Sequence, residues 1–205
     1  MQEIDLTKKR CFWCNLKNPV YVAYHDIEWG VFPENEQKLY ELFILETFQA
    51  GLSWECILNK RENFREVYEG FDIDKVCAYG DDKIEKLLQN PGIIRNRRKI
   101  RASISNSRIY KSIADEFGSF KEYLHSFTNG NIIREPDVSV TTSPLSDAIF
   151  ADLKKRGMTF IGSTTVYAFL QAIRIINAHS EECFCSTQTL EKYIRSQYDG
   201  KRNYS

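Results

Sequence analysis

The chain has 205 residues, of which 42% are hydrophobic and 13% aromatic, so it can bury a core without the help of disulfides. Its 28 Lys and Arg residues balance its 28 Asp and Glu residues, so any affinity for nucleic acid must arise from a local basic surface. No apolar run approaches the roughly 20 residues of a membrane span and the start of the chain is charged, so we expect a cytoplasmic protein without a secretory signal or a membrane partner.

Helical periodicity dominates the middle of the chain, which predicts an all-α fold with negligible strand content. Apolar residues between Glu36 and Ala50 wrap most of a helix surface, so this helix should be largely buried and should stop at Gly51. Ser53 is the expected N-cap of the next helix, which should run to Tyr68.

Caps and breakers predict the remaining helices. Asp72 and Asp81 should cap two short helices, and Asn90-Pro91-Gly92 should break the chain. The later predicted helices are Ile93 to Ala114, Ser119 to Phe127, Ser143 to Gly157 and Ser163 or Thr164 to Ile176, with an irregular connection at Asn129 to Thr142.

A glycine-bounded hairpin is predicted between the last two helices, over Leu153 to Thr165. Backbone N–H groups at Gly162, Ser163 and Thr164, with the dipole of the following helix, can bind a DNA phosphate, and Lys155 adds positive charge. The alternative is an ordinary helix turn in which Gly157 is only a C-cap. A second basic cluster supports the DNA interpretation: Arg95, Arg97, Arg98, Lys99 and Arg101.

A metal site is predicted from both ends of the chain. His179 and Cys183 are four residues apart, which places them on one side of a helical turn, and with Cys11 and His25 they form a zinc-type donor set. A site with four protein ligands would be structural and would tie the two ends together. The competing set consists of Cys11, Cys14, Cys183 and Cys185.

Glu46 falls on the apolar surface of the helix that should be buried. An unpaired buried carboxylate is costly, so a cationic ligand or an internal Lys or Arg partner must compensate it. A carboxylate between aromatic rings suits a flat, positively charged purine, whereas pairing inside the fold would make the same rings simple core. The aromatic residues concerned are Trp13, Tyr21, Tyr24, Trp29 and Trp54.

Several stretches together resemble the bacterial 3-methyladenine DNA glycosylase I family. They run in order from about residue 10 to residue 185, and only the last twenty residues or so lie outside. They are Arg10-Cys11-Phe12-Trp13, Tyr24-His25-Asp26-Ile27-Glu28-Trp29-Gly30, Leu45-Glu46, Gln49-Ala50-Gly51-Leu52-Ser53-Trp54, Gly92-Ile93-Ile94-Arg95, Leu153 to Thr165, and His179 with Cys183.

The resemblance implies a helix-hairpin-helix glycosylase domain over residues 8–186, with an extension of unknown role at 187–205. It implies one structural zinc on Cys11, His25, His179 and Cys183. It further implies a base pocket with Glu46 as the catalytic residue and, as base-binding residues, Tyr24, Trp54, Trp13 and Trp29.

The implied activity is hydrolysis of the N-glycosidic bond of 3-methyladenine in double-stranded DNA, with the free base as product. The enzyme would be a monomer without lyase activity. Gly51 and Leu52 would probe the DNA, and Leu52 would fill the space left by the flipped nucleotide. One departure is Ala178, which stands where many related enzymes place a catalytic aspartate.

Two other functions are consistent with these residues. One is a non-catalytic DNA-binding module, which would have no use for a buried carboxylate opposite Trp54. The other is a glycosylase of the same fold with a different lesion preference.

Overall fold

Ten α-helices, one π-helical turn and one 3-10 turn carry most of the part of the chain that the computed structural model describes, residues 5, 7–135 and 139–186. None of the helices found there is long and apolar enough to cross a membrane. The α-helices are α1 Pro19–Ala23, α2 Glu36–Gln49, α3 Trp54–Leu58, α4 Arg61–Val67, α5 Ile73–Cys77, α6 Asp81–Gln89, α7 Arg97–Phe117, α8 Phe120–Ser126, α9 Pro144–Lys155 and α10 Ser163–Ala172.

Helix α2 lies at the centre of the fold, and its residues from Leu39 to Phe48 are all buried. Helices α3, α7 and α10 pack around it. Asn35 caps its start, because the side chain accepts a hydrogen bond from the Lys38 N–H (2.9 Å). The prediction of a mostly helical fold with a buried helix ending before Gly51 is confirmed.

Several predicted helix boundaries were wrong. Asp81 is the first residue of α6 rather than its cap, which is Gly80. The helix capped by Ser53 does not continue to Tyr68, since the chain breaks after Leu58 and α4 starts at Arg61. The long basic helix starts at Arg97 rather than Ile93, because the Asn96 side chain accepts hydrogen bonds from the first backbone N–H groups.

The end of α10 also differs from the prediction. The helix stops at Ala172, and Arg174 adopts a positive φ of 64°, so the chain turns into an extended segment before Ile176. That segment forms strand β2 (Ile176–Asn177), which pairs in parallel with β1 (Ile133–Arg134) inside the predicted irregular connection. This small sheet, which periodicity did not predict, fixes the backbone that leads directly into Ala178 and His179.

The π-helical turn covers Tyr24–Glu28 and follows α1 without a break. The Trp29 N–H donates to the Tyr24 carbonyl (2.9 Å), which closes the wider turn. Such turns are rare and are frequently found at functional sites. Here the consecutive residues Tyr24 and His25 are both buried and serve two different sites.

Candidate functional site

A cavity of about 160 Å³ opens beside the carboxyl end of α2. Helix α2 contributes Glu46 and Gln49, α3 contributes Trp54, and the N-terminal segment contributes most of the aromatic wall. We call this the base cavity. The residues that line it are Trp13, Tyr21, Tyr24, Trp29, Glu46, Gln49, Trp54, Ala168 and Gln171.

Glu46 is 4% exposed, and its Oε2 atom accepts no hydrogen bond from any described residue. Burial raises the pKa of this carboxyl from 4.5 to about 8, because the charged form loses its hydration. No Lys or Arg among the described residues forms an ion pair with it, so the alternative of internal pairing is wrong for this part of the chain. The buried Oε2 atom is therefore a hydrogen-bond acceptor that no described residue uses.

Aromatic rings face one another around this carboxyl. The ring centroids of Tyr24 and Trp54 lie 5.2 Å apart, and those of Trp13 and Trp29 lie 4.6 Å apart. The indole Nε1 of Trp54 is buried and also has no hydrogen-bond partner among the described residues. A flat ligand would therefore meet stacking surfaces together with an unused donor and an unused acceptor.

A second cavity of about 170 Å³ adjoins the base cavity and shares Trp13, Trp29, Ala168 and Gln171 with it. Its other walls reach the exposed Phe12 and, on α10, Thr164. Ala178 lines the second cavity but not the base cavity. None of the described residues that line the second cavity carries a carboxylate. The space next to the base cavity thus extends toward the hairpin, and the described residues that line it include no acidic group.

The four predicted metal ligands come together in the core. Cys11, His25, His179 and Cys183 are all buried, and one donor atom from each lies within 4.8 Å of the others. The Cys183 Sγ atom lies 3.5 Å from His25 Nε2 and 3.5 Å from His179 Nδ1, and Cys11 Sγ lies 3.5 Å from His179 Nδ1. This cluster can hold a metal ion.

Neighbouring groups orient the histidines of the cluster. His25 Nδ1 donates to Asp26 Oδ1 (2.8 Å), which turns Nε2 toward the sulfur atoms. Arg10 holds Asp26 through two hydrogen bonds of 2.8 and 2.7 Å. At Gly30, which has a φ of +71°, a Cβ atom would lie 2.7 Å from His179 Nε2, so only glycine leaves room for that ring.

The competing four-cysteine set does not assemble in the described residues, since Cys14 belongs to neither group of possible ligands. Cys185 lies beside the cluster, in a second group with His25 and Asp26. Hydrogen bonds from the Cys11 and Cys185 thiols lower the pKa of Cys183 and raise their own, which favours a thiolate at Cys183.

The helix-hairpin-helix predicted from sequence is formed by α9, residues 156–162 and α10. Gly162 occupies the N-cap of α10 and provides no side-chain hydrogen bond to the first helical N–H groups. The Ser163 hydroxyl donates to Asp147, so the backbone N–H of this residue rather than its side chain is the group available to a ligand. Thr164 and Lys155 are exposed nearby, which leaves a helix start suited to an anion.

Many of the basic residues near the hairpin are already paired. Arg156 bonds Glu116 and Asp152, Arg97 bonds Glu85, and Arg101 bonds Asp81. Lys99 is buried rather than exposed. The second basic cluster is therefore only partly exposed. Arg98 lies over the ring of the hairpin residue Phe160 (5.2 Å), and Lys154 and Lys155 are further exposed cations beside the hairpin.

The predicted DNA-probing loop lies between α2 and α3, at the edge of the base cavity. Gly51 has a φ of +77°, which lets the chain reverse directly after α2. The Leu52 N–H donates to the Gln49 carbonyl (2.7 Å), and the Leu52 side chain is 40% exposed. An exposed apolar side chain thus stands beside the opening.

Comparison with known proteins gives these sites a context. A family model described as methyladenine glycosylase matches residues 13–186. The chain belongs to this family.

Individual relatives agree with the family assignment. DNA-3-methyladenine glycosylase 1 of Escherichia coli (strain K12) is 41% identical over 185 residues, which cover 86% of this chain and 96% of that protein. A crystal structure of 3-methyladenine DNA glycosylase I aligns with a TM-score of 0.81 at 42% identity, covering 86% of this chain and 99% of that one. A structure of 3-methyladenine DNA glycosylase I from Staphylococcus aureus that concerns 3-methyladenine recognition aligns with a TM-score of 0.78 at 33% identity, covering 83% and 93%.

Three residues of the base cavity in this member of the methyladenine glycosylase family were not predicted: Gln49, Ala168 and Gln171. Gln49 continues an apolar helix and looks like its solvated end. Ala168 and Gln171 lie on α10, far from Glu46 in sequence, so only the packing of α10 on α2 brings them to the cavity. A single sequence offers no signal for that contact.

Proposed function

We propose that this protein is a DNA-3-methyladenine glycosylase that flips the alkylated adenine out of duplex DNA and hydrolyses its bond to deoxyribose. The observation that carries the proposal is Glu46, a buried carboxyl whose Oε2 atom has no hydrogen-bond partner among the described residues and which lines a purine-sized aromatic cavity. Membership of the methyladenine glycosylase family supports the same conclusion. The catalytic domain would cover residues 8–186 and act as a monomer.

Recognition would depend on charge as well as shape. Adenine methylated at N3 is cationic while it is bonded to deoxyribose, so it gains Coulomb energy from an ionised Glu46 and cation–π attraction from Tyr24 and Trp54. Trp13 and Trp29 would complete the walls. Because Glu46 is mostly protonated in the empty cavity, a neutral adenine provides no comparable reason to ionise it. Normal adenine is thereby disfavoured.

Hydrolysis would need little acid catalysis, because a cationic purine is already a good leaving group. Glu46 would stabilise the positive charge that develops on the sugar or orient water toward it. No lysine lines the base cavity among the described residues, so no Schiff base is expected and the enzyme would be monofunctional. The second cavity would hold the deoxyribose. It is lined by Ala178, the residue that stands where many related enzymes place a catalytic aspartate.

Duplex DNA would contact the loop at one edge of the base cavity and the hairpin beyond the second cavity. Gly51 and Leu52 would enter the duplex, where Leu52 replaces the flipped nucleotide. The backbone N–H groups of Gly162, Ser163 and Thr164 would bind a phosphate, assisted by Lys155. These contacts position the duplex without reading its sequence.

Replacing Lys155 with alanine tests this binding mode. Because one fewer counterion is released on binding, the slope of log Kd against log salt for unmodified duplex DNA should decrease by about 1. Lys111→Ala, which removes a lysine already paired with Asp74, is the control and should leave the slope unchanged. Equal slopes for wild type and Lys155→Ala would exclude a phosphate contact at Lys155.

One zinc ion is proposed for the cluster of Cys11, His25, His179 and Cys183. The 3.5 Å separations between sulfur and nitrogen match the roughly 3.6 Å edge of a tetrahedral zinc site with these ligands. With four protein ligands no coordination position remains for substrate. The ion would join the N-terminal segment to the segment after β2 and so hold Tyr24, the neighbour of His25, at the base cavity.

Product analysis distinguishes the proposed glycosylase from the competing proposal, a DNA-binding module without catalysis. Purified protein should be incubated with duplexes containing 3-methyladenine, 7-methylguanine or hypoxanthine, and the released bases quantified. We expect 3-methyladenine as the principal base, strands that stay intact until alkali is added, and a large loss of activity in Trp54→Ala. Binding of duplex DNA with no released base would favour the docking module.

A further inference from the structure

Lys99 is the residue of the basic cluster that the DNA interpretation does not explain. It lies in the first turn of α7, yet it is only 8% exposed. Its Nζ atom donates to the carbonyl oxygens of Phe48 (2.8 Å) and Ala50 (2.6 Å). The ammonium group thus binds the negative, carboxyl-terminal end of α2. The two carbonyls that it binds lie in sequence between Glu46 and Leu52.

Asn106 makes a similar contact about two turns further along α7. It is fully buried, and its side-chain amide donates to the Thr159 carbonyl (2.8 Å) while its Oδ1 atom accepts from the Thr159 N–H (3.0 Å). Thr159 lies inside the hairpin, between Gly157 and Gly162. The Asn106 side chain therefore holds the hairpin backbone through both the N–H and the carbonyl group of Thr159.

Lys99 and Asn106 are seven residues apart, so they lie on the same face of α7 and about 10 Å apart along its axis. One binds the end of α2 that leads into the probing loop, and the other binds the hairpin. We propose that Lys99 and Asn106 are positioning residues, and that α7 sets the distance between the loop that enters the duplex and the hairpin that binds its backbone. This inference rests on the proposed function.

The mechanism requires both loops to engage one duplex at once. A flipped base enters the cavity only if the strand beside it is held in register, and a displacement of about 1 Å can cost about 100-fold in rate. The base cavity itself does not include Lys99 or Asn106. Loss of either contact should therefore reduce activity on duplex DNA and spare binding of the free base.

The test compares Lys99→Met and Asn106→Leu with wild type and with Ser107→Ala, a control that removes a buried polar group of α7 bonded to Tyr40. Four quantities are measured: Kd for free 3-methyladenine, Kd for unmodified duplex, and kcat and KM for excision. We expect kcat/KM on duplex to fall by about tenfold to 100-fold for the two variants, with base affinity within about threefold of wild type.

Several outcomes would overturn the inference. Unchanged kcat/KM in either variant would do so, and so would a parallel loss of base affinity, which indicates general destabilisation. If Lys99→Met or Asn106→Leu fails to fold, the milder Lys99→Gln and Asn106→Ser are measured by the same criteria. A wild-type protein that binds duplex but releases no 3-methyladenine would refute the proposed function, and the duplex Kd values would then decide the positioning roles.

Discussion

The Glu46→Gln protein is expected to be more stable than wild type by about 5 kcal/mol at pH 9, and nearly equal to it at pH 4. The pKa of Glu46 is raised from 4.5 to about 8 in the folded protein, so between these values the folded state holds a proton that the unfolded state releases. Wild-type stability should therefore decrease as pH rises from 4.5 to 8 and then level off. Glutamine has no charge to bury and should lack this contribution.

Urea unfolding of both proteins from pH 4 to pH 9 measures the difference. Glu62→Gln is the control, because it removes an exposed carboxylate from α4 and should follow wild type. A difference between wild type and Glu46→Gln that stays constant across this range would contradict a raised pKa. The expected pattern would also show that the carboxyl is retained at a cost in stability, as occurs at sites that bind a ligand.

Removal of the proposed zinc ion should produce the second large effect. Structural zinc contributes about 10–16 kcal/mol in small zinc peptides, which is comparable with or larger than the whole stability of a domain, about 5–15 kcal/mol. His179→Ala and Cys183→Ser should therefore lose their zinc and melt far below wild type. The N-terminal segment should open first, because Cys11 and His25 lose their attachment to the segment after β2.

Metal analysis and calorimetry test this prediction together. Cys14→Ser is the matched control: it removes another buried thiol of the same segment that lies outside the ligand set. We expect about one zinc per chain in wild type and Cys14→Ser, and almost none in the other two variants. Full zinc content in His179→Ala would refute the ligand set.

The parts of the site that sequence predicted are those with a strong local signal. A carboxylate on an apolar helix pointed to Glu46, glycine spacing to the hairpin, and the four-residue separation of His179 and Cys183 to a metal cluster, each with a structural alternative left open. Each signal depends on neighbouring residues or on a chemical conflict that a short segment shows by itself. The family resemblance joined them, since local patterns do not give their relative positions.

Features that depend on long-range packing were not predicted. Gln171 lines the base cavity only because α10 packs on α2. The pairing of Ile133 with Ile176 joins two short segments whose sequences show no strand periodicity. Lys99 was misassigned for a related reason: in sequence it is one of several cations at a helix start, whereas packing buries it on the end of α2. Helix periodicity also does not reveal the π-helical turn at Tyr24.

Release of 3-methyladenine under single-turnover conditions tests the central claim most directly. Wild type and Glu46→Gln should be mixed in excess with a methylated duplex, and the free base quantified by chromatography over time. We expect wild type to release 3-methyladenine and Glu46→Gln to do so at least about 100-fold more slowly while remaining folded. No release by wild type, or equal rates for the two proteins, would contradict the claim that Glu46 in its aromatic cavity performs the reaction.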